Sequence, residues 1–224
     1  MSEVKSREPL FSKKNKKLIT DPLNDNNPVT IQVLGICSAL AITVSVAQAL
    51  TMTAAVIFVL VLGNVIVSML RNLIPSRIRI IVQLVVVASL VIIVNEILKA
   101  YLPDLGEKLS VFVGLIITNC IIMGRFEAFA MGNKPWAAAL DGFGNALGYG
   151  IILVIVSVFR ELFGTGKLMG YQIFGNAIAG EETGLYSIGY YNNNLIILAP
   201  FALITVALVI WVQRSRNKAL IEEH

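Results

Sequence analysis

Charge is what this sequence has least of. Only 14% of its 224 residues are Asp, Glu, Lys or Arg, and 56% are hydrophobic; a soluble domain carries roughly 25% and 45–50%. Mean hydropathy is +0.77. The deficit excludes a soluble globular domain and a disordered chain. No stretch of ordinary composition is long enough to fold a large aqueous catalytic domain. Histidine is confined to His224, the last residue, which excludes bis-His haem, His-ligated zinc and Ser-His-Asp chemistry. Cysteine is confined to Cys37 and Cys120, both inside apolar runs, and that does not fit the disulfide framework of a small oxidised domain. The net charge of +4 sits at the ends of apolar runs, so it reads as a membrane topology signal and not as a nucleic-acid surface.

What is present is a series of apolar runs near the length of a bilayer span, about 20 residues. The predicted spans are Val29–Leu50, Met52–Leu70, Ile78–Leu98, Leu109–Gly124, Ala137–Phe159 and Leu195–Val212. The polar first 28 residues predict that no cleavable signal peptide precedes the first span. Their Lys13, Lys14, Lys16 and Lys17 read as an orientation signal touching anionic lipid. With an even number of spans, both termini share a side. That side holds the N-terminal basic cluster, Arg71, Arg77, Arg79, Arg125, Lys134, Arg214, Arg216 and Lys218; the other holds only Lys99, Lys108, Arg160 and Lys167. The positive-inside rule then places both termini in the cytoplasm. In the joint at 160–194, which falls outside, Gly164-Thr165-Gly166-Lys167 lacks the spacing and the hydroxyl residue of a phosphate loop.

The string V-I-V-S-x-x-R occurs twice, at Val65–Arg71 and Val154–Arg160, ending the second and the fifth span. Cys37 and Cys120 occupy the first and the fourth. Two copies of a three-span unit, an odd number, enter from opposite faces. The predicted fold is therefore an all-α membrane protein of six transmembrane helices in two inverted-topology three-helix repeats, the first helix of each short or broken. The division is a basic cytoplasmic tail at 1–28, a membrane domain at 29–213 with repeats 29–99 and 109–213, and a cytoplasmic tail at 214–224. Cys37 lies about eight residues into its span and Cys120 about eleven, roughly 12 and 16 Å of helix rise. Both thiols then fall near the middle of a hydrocarbon core about 30 Å thick.

Two readings of these thiols stand. Free cysteine is a small buried hydrophobe. Alternatively, the pair ligates a metal or iron–sulfur centre. A [2Fe–2S] cluster takes four protein ligands, so a partner protein would supply two more, and a partner of the same fold in the opposite orientation would bring four cysteines to one site. Gly35 and Gly124 are placed to let the backbone break or approach a cofactor, and Thr118 and Asn119 to hydrogen-bond cluster sulfurs. Asp141, just inside the fifth span, is a candidate for a cation or coupling role or an interfacial residue; Glu96 reads as interfacial. Gly144 and Gly148, with Gly142, Ala146 and Gly150, read as a close-packing face, within the chain or against a sister protein. Arg71 and Arg160 read as headgroup or interface anchors.

Three segments carry a family resemblance: Val33-Leu34-Gly35-Ile36-Cys37-Ser38-Ala39-Leu40-Ala41, Leu115-Ile116-Ile117-Thr118-Asn119-Cys120-Ile121-Ile122-Met123-Gly124-Arg125, and Glu127-Ala128-Phe129-Ala130. Arg160-Glu161-Leu162 followed by Gly164, Gly166, Lys167 and Leu168 fits as well. Over roughly residues 20–213 the chain resembles a family of membrane subunits found in the sodium-translocating NADH:quinone oxidoreductase and in the Rnf electron-transport complex. The Rnf relatives have proline after the first cysteine; Ser38 here favours the sodium pump. The resemblance implies a six-subunit complex of the bacterial inner membrane that oxidises NADH, reduces quinone and moves sodium outward. It also implies NADH, FAD, FMN and riboflavin on other subunits, and a 2Fe–2S centre shared with a homologous six-span subunit of opposite orientation, with Cys37 and Cys120 as this chain's ligands. The alternatives are the equivalent subunit of a ferredoxin:NAD oxidoreductase and a non-redox inverted-repeat transporter.

Overall fold

The structure, a computed structural model, describes residues 13–23, 26–75, 77–101, 114–165, 167–168, 171–172 and 194–216. Most of the 160–194 joint, Lys5, Arg7, Lys108 and residues 217–224 lie outside them. In chain order, α1 (Lys13–Thr20) leads into a 3-10 turn at Asp21–Leu23. Next come α2 (Ile36–Ile42), α3 (Val46–Leu70) and α4 (Arg79–Tyr101). After a helical turn at 114–117, α5 (Cys120–Arg125) passes into a π-helical turn at Phe126–Ala130. The last elements are α6 (Pro135–Thr165), a short hairpin pairing Lys167–Leu168 with Tyr171–Gln172, a 3-10 turn at Asn194–Ile197, and α7 (Ala199–Arg216). Helices α3, α4 and α6 are long and apolar enough to cross a membrane, and α7 is a shorter apolar helix. The chain is an all-α multi-pass membrane protein.

The predicted first span is broken, as the reading of a short or broken first helix has it. Residues 27–35 form successive turns. The Asn27 side chain accepts from the amides of Val29 and Thr30 at 3.0 and 3.3 Å, and the Leu34 amide donates to the Pro28 carbonyl at 2.8 Å. Gly35, at φ +79°, then caps the start of α2. That left-handed conformation costs a side-chain-bearing residue about 1–2 kcal/mol. Helix α2 ends after seven residues, and α3 starts at Val46, inside the predicted first span. Ser45 is extended there, and the free Val46 amide donates to the Glu161 carboxylate at 2.6 Å. Hydropathy misses this break because Thr43, Val44 and Ser45 do not interrupt an apolar run.

Helices α3 and α6 are the antiparallel centre of the fold. Ser68 meets Asn133, Asn64 meets Ala138, Gly150 faces Thr53, and Val46 meets Glu161. Their approach requires glycine: a Cβ on Gly150 would fall 2.1 Å from Thr53 Cγ2, and one on Gly142 2.7 Å from Asn64 Nδ2. The Gly144–Gly148 stripe faces the other way and is filled from within the chain. A Cβ there would lie 2.7 Å from the Leu18 carbonyl oxygen and 2.4 Å from that of Pro22, so α1 and its following turn lie along α6. Asn27 secures this contact by donating to the Gly148 carbonyl at 3.1 Å. Helix α4 buries one stripe (Gln83, Val87, Leu90, Val91 and Val94) and leaves Ile80, Ile81, Val85, Ile92 and Ile93 exposed, as suits a helix with lipid or a sister protein on its other side. Its first turn is tied to the π-turn by an Arg79–Glu127 ion pair and by Gln83 donating to Glu127 at 3.3 Å.

Candidate functional site

Each cysteine stands in the first turn of a short helix that follows a break. Cys37 is the second residue of α2 and Cys120 the first of α5. Both are free thiols, both are exposed, and they lie close enough together to interact. The Gly35 backbone also reaches the Cys120 thiol. The fold thus brings together two residues 83 positions apart (120 − 37) and presents them outward as a pair. Among the described residues, no three His, Cys, Asp or Glu side chains gather as a metal site. Two thiols are half the number of ligands that a [2Fe–2S] cluster takes, so their donor chemistry fits such a centre only when the rest come from outside the chain.

A buried polar network behind the thiols joins the two helix starts. Tyr149, fully buried on α6, places its hydroxyl 2.6 Å from Ser38 Oγ. Ser38 also bonds the Gly35 carbonyl at 2.8 Å, and the Asn119 amide donates to Ser38 at 3.2 Å. Asn119 Oδ1 accepts from the Ile121 amide at 3.3 Å, capping α5. Sequence position makes Asn119 a donor to cluster sulfurs; its amide nitrogen donates to Ser38 and its amide oxygen caps its own helix. Gly35 is required twice over, by its positive φ and because a Cβ would come 2.9 Å from the Tyr149 ring. Gly124, given the same role from sequence, is an ordinary helical residue whose Cβ would meet only Leu34 Cδ1 at 3.4 Å. Sequence carries no signal for this network: Ser38 and Tyr149 are 111 residues apart, and neither belongs to a motif with an obvious chemistry.

Asp141 is 2% exposed. Arg125, the last residue of α5, takes both its oxygens: Nε donates to Oδ2 at 2.9 Å and Nη2 to Oδ1. Asn145 adds a bond from its amide nitrogen at 3.2 Å. The topology count puts Arg125 in a cytoplasmic joint; it is a half-buried member of an ion pair, because helix continues past it to Ala130. The amide oxygens of Asn145 and Asn64, both residues fully buried, have no partner. The Asn64 amide nitrogen rests on the Ala138 carbonyl at 2.9 Å, one turn from Asp141.

Arg160 is 1% exposed and is not a headgroup anchor. Its guanidinium donates to Thr43 Oγ1 at 2.5 Å and to the carbonyls of Leu40 and Ile196 at 3.4 and 3.3 Å. It also reaches the carbonyls of Ile197 and Leu198. Arg71, partly buried, donates to the Asn133 carbonyl at 2.8 Å, a carbonyl shared with Ser68 at 2.6 Å. An interface-anchor reading rests on position at a span end, and position does not show which carbonyls the fold brings within reach.

Comparison with known proteins shows the family of the chain. Residues 15–210 match the family described as Rnf-Nqr subunit, membrane protein. The chain is 48% identical over 212 residues to the D subunit of the Na(+)-translocating NADH-quinone reductase of Serratia proteamaculans (strain 568), covering 95% of this chain and 98% of that protein. It is 49% identical over 207 residues to the protein of the same description from Psychromonas ingrahamii, covering 92% and 95%. With that of Haemophilus ducreyi it shares 49% over 208 residues, covering 93% and 97%. The chain belongs to the Rnf-Nqr family of membrane subunits, together with the D subunits of Na(+)-translocating NADH-quinone reductases.

Proposed function

We propose that this chain serves as the D-type membrane subunit of a sodium-translocating NADH:quinone reductase in the bacterial inner membrane, and that Cys37 and Cys120 are its half of a shared electron-relay site. The observation that carries this reading is the meeting of the two thiols, exposed, at the starts of two half-helices. The relatives named above are NADH-quinone reductase subunits, which favours the quinone-linked reading over the ferredoxin-linked one. Cys37 and Cys120 hold one side of the site, and a homologous six-span subunit in the opposite orientation holds the other. A 2Fe–2S centre bound there supplies one-electron transfer across a bilayer too thick for one efficient hop. The chain's own task is positional. Ser38, Asn119 and Tyr149 lock the two helix starts together, and Gly35 turns the backbone so that both thiols face the partner. NADH, FAD, FMN and riboflavin belong to other subunits of the six.

The V-I-V-S-x-x-R repeat and the matching half-helices support two inverted three-helix repeats. The basic asymmetry supports cytoplasmic termini. Asp141 is assigned a cation or coupling role: sodium and Arg125 compete for its carboxylate, and Asn145, which bonds it, has an unpartnered amide oxygen. The test of the whole reading is iron and acid-labile sulfide per purified complex, wild type against Cys37→Ala. Loss of the centre with an assembled complex supports the reading, and unchanged iron and sulfide overturns it.

A further inference from the structure

The repeated V-I-V-S-x-x-R string has a structural meaning beyond chain symmetry. Arg71 closes the first copy and Arg160 the second. Each reaches across to the end of the cysteine-bearing helix of the opposite half. Arg160 bonds Leu40 and Thr43, at the end of the helix that begins with Ile36 and Cys37. Arg71 bonds Asn133, which closes the π-turn continuing from Cys120; the Asn133 side chain and amide donate to the Phe129 carbonyl at 3.0 and 3.1 Å. The copies are not equal. Ser68 adds a second bond to Asn133, whereas Ser157 turns back to the Val154 carbonyl at 3.0 Å.

We propose that Arg160 and Arg71, which close the two copies of the repeated string, are positioning residues that set the Cys37–Cys120 approach, with Arg160 the stronger. A seven-residue helix is too short to hold itself, because isolated helices below about 12–15 residues are marginal. Its end carbonyls carry partial negative charge, which a guanidinium complements. A buried guanidinium in turn needs acceptors for its five N–H groups. Arg160 finds them at the end of α2 and at residues 196–198, so it ties α2 to the entry of α7. Cys37 is three residues from Leu40, about 4.5 Å of helix rise. A helix end that loses its anchor therefore carries the thiol with it. Helix α5 has a second anchor in the Arg125–Asp141 pair and depends less on Arg71.

The inference rests on the shared-site reading for its consequence, so its test reads thiol geometry apart from iron. The full complex, stripped of iron with a chelator under reducing conditions, is treated with dibromobimane, which bridges neighbouring thiols. The Cys37–Cys120 bridge is quantified by mass spectrometry. In the untreated complex the spectroscopic signature of the centre is followed in parallel. Arg160→Gln lowers the bridge yield about ten-fold, the scale of losing charge-assisted hydrogen bonds; Arg160→Lys restores part of it, and Arg71→Gln has the smaller effect. A fall in bridging where wild type also lacks iron supports the positioning role and sinks the shared-centre reading. Wild-type bridging in an assembled Arg160→Gln complex overturns the positioning role whatever the iron content. If Arg160→Gln does not assemble, Thr43→Val, which removes one acceptor and keeps the shape, is read by the same two outcomes.

Discussion

The two half-helices that carry the cysteines reach the same outcome by different means. Helix α2 starts at a left-handed glycine, lasts seven residues, and is held at its far end by a fully buried arginine 120 positions from Leu40. Helix α5 starts at an asparagine that caps its own helix, runs on through a π-turn, and is held twice, by Arg125–Asp141 and by Ser68 with Arg71. The first depends on backbone conformation, on the Ser38–Tyr149 bond near its start and on one remote anchor at its end. The second uses local capping and redundant anchors. Two short helices can thus position their thiols with unequal tolerance to change.

The largest effect should be blind to this difference. Cys37→Ala and Cys120→Ala should each remove the centre and stop NADH-driven quinone reduction, while NADH oxidation by an artificial acceptor survives at another subunit. Assembled Ala variants that retain near-normal quinone reduction would make both thiols packing residues. The next effect belongs to the second half alone. Arg125→Ala leaves the buried Asp141 carboxylate unpaired, a loss of about 3–5 kcal/mol, read as a lowered melting temperature of the complex. A paired Arg125→Met, Asp141→Leu variant should recover much of that stability yet lose sodium-dependent activity if Asp141 handles the cation; full sodium dependence in the paired variant removes Asp141 from the sodium path.

A sharper contrast lies between two glycines. Gly35→Ala places a side chain at φ +79° and against Tyr149, at a cost of about 1–2 kcal/mol from the backbone alone. Gly124→Ala meets only ordinary contact and should be neutral or stabilising by up to about 1 kcal/mol, from helix propensity. Equal melting shifts in the two variants would refute the unequal halves. Ser38→Ala removes the hub between Gly35, Tyr149 and Asn119 and should cost about 1–2 kcal/mol, the scale of leaving buried polar partners unsatisfied. It should also broaden the signature of the centre.

Much of the site is legible because its determinants are local. A lone thiol in each of two apolar runs, glycine two residues before Cys37, and asparagine just before Cys120 are all readable in one window of sequence. The glycine face of the fifth span is legible as a packing face. What fills it is not: α1 and its following turn lie on Gly144 and Gly148, and their polar, lysine-rich composition reads as a tail. Arg125, Arg160 and Asn119 each take from sequence the role their type and position favour in isolation. Each is reassigned by a partner that only the fold supplies.

The sequence by itself determined that the chain lives in a membrane, which apolar runs form its helices, and that its only two thiols stand inside such runs. Transfer into hydrocarbon is close to additive over residues, and thiols are chemically distinct wherever they stand. The tertiary structure alone decided where the helices break and what each buried charge meets. A backbone break is stable only when its freed amides and carbonyls find partners, and here those partners are Glu161 for Val46, Arg160 for Leu40 and Arg71 for Asn133. In a medium without water each such group must be satisfied by protein. The site therefore depends on contacts between 62 and 120 residues apart, beyond the reach of any local pattern.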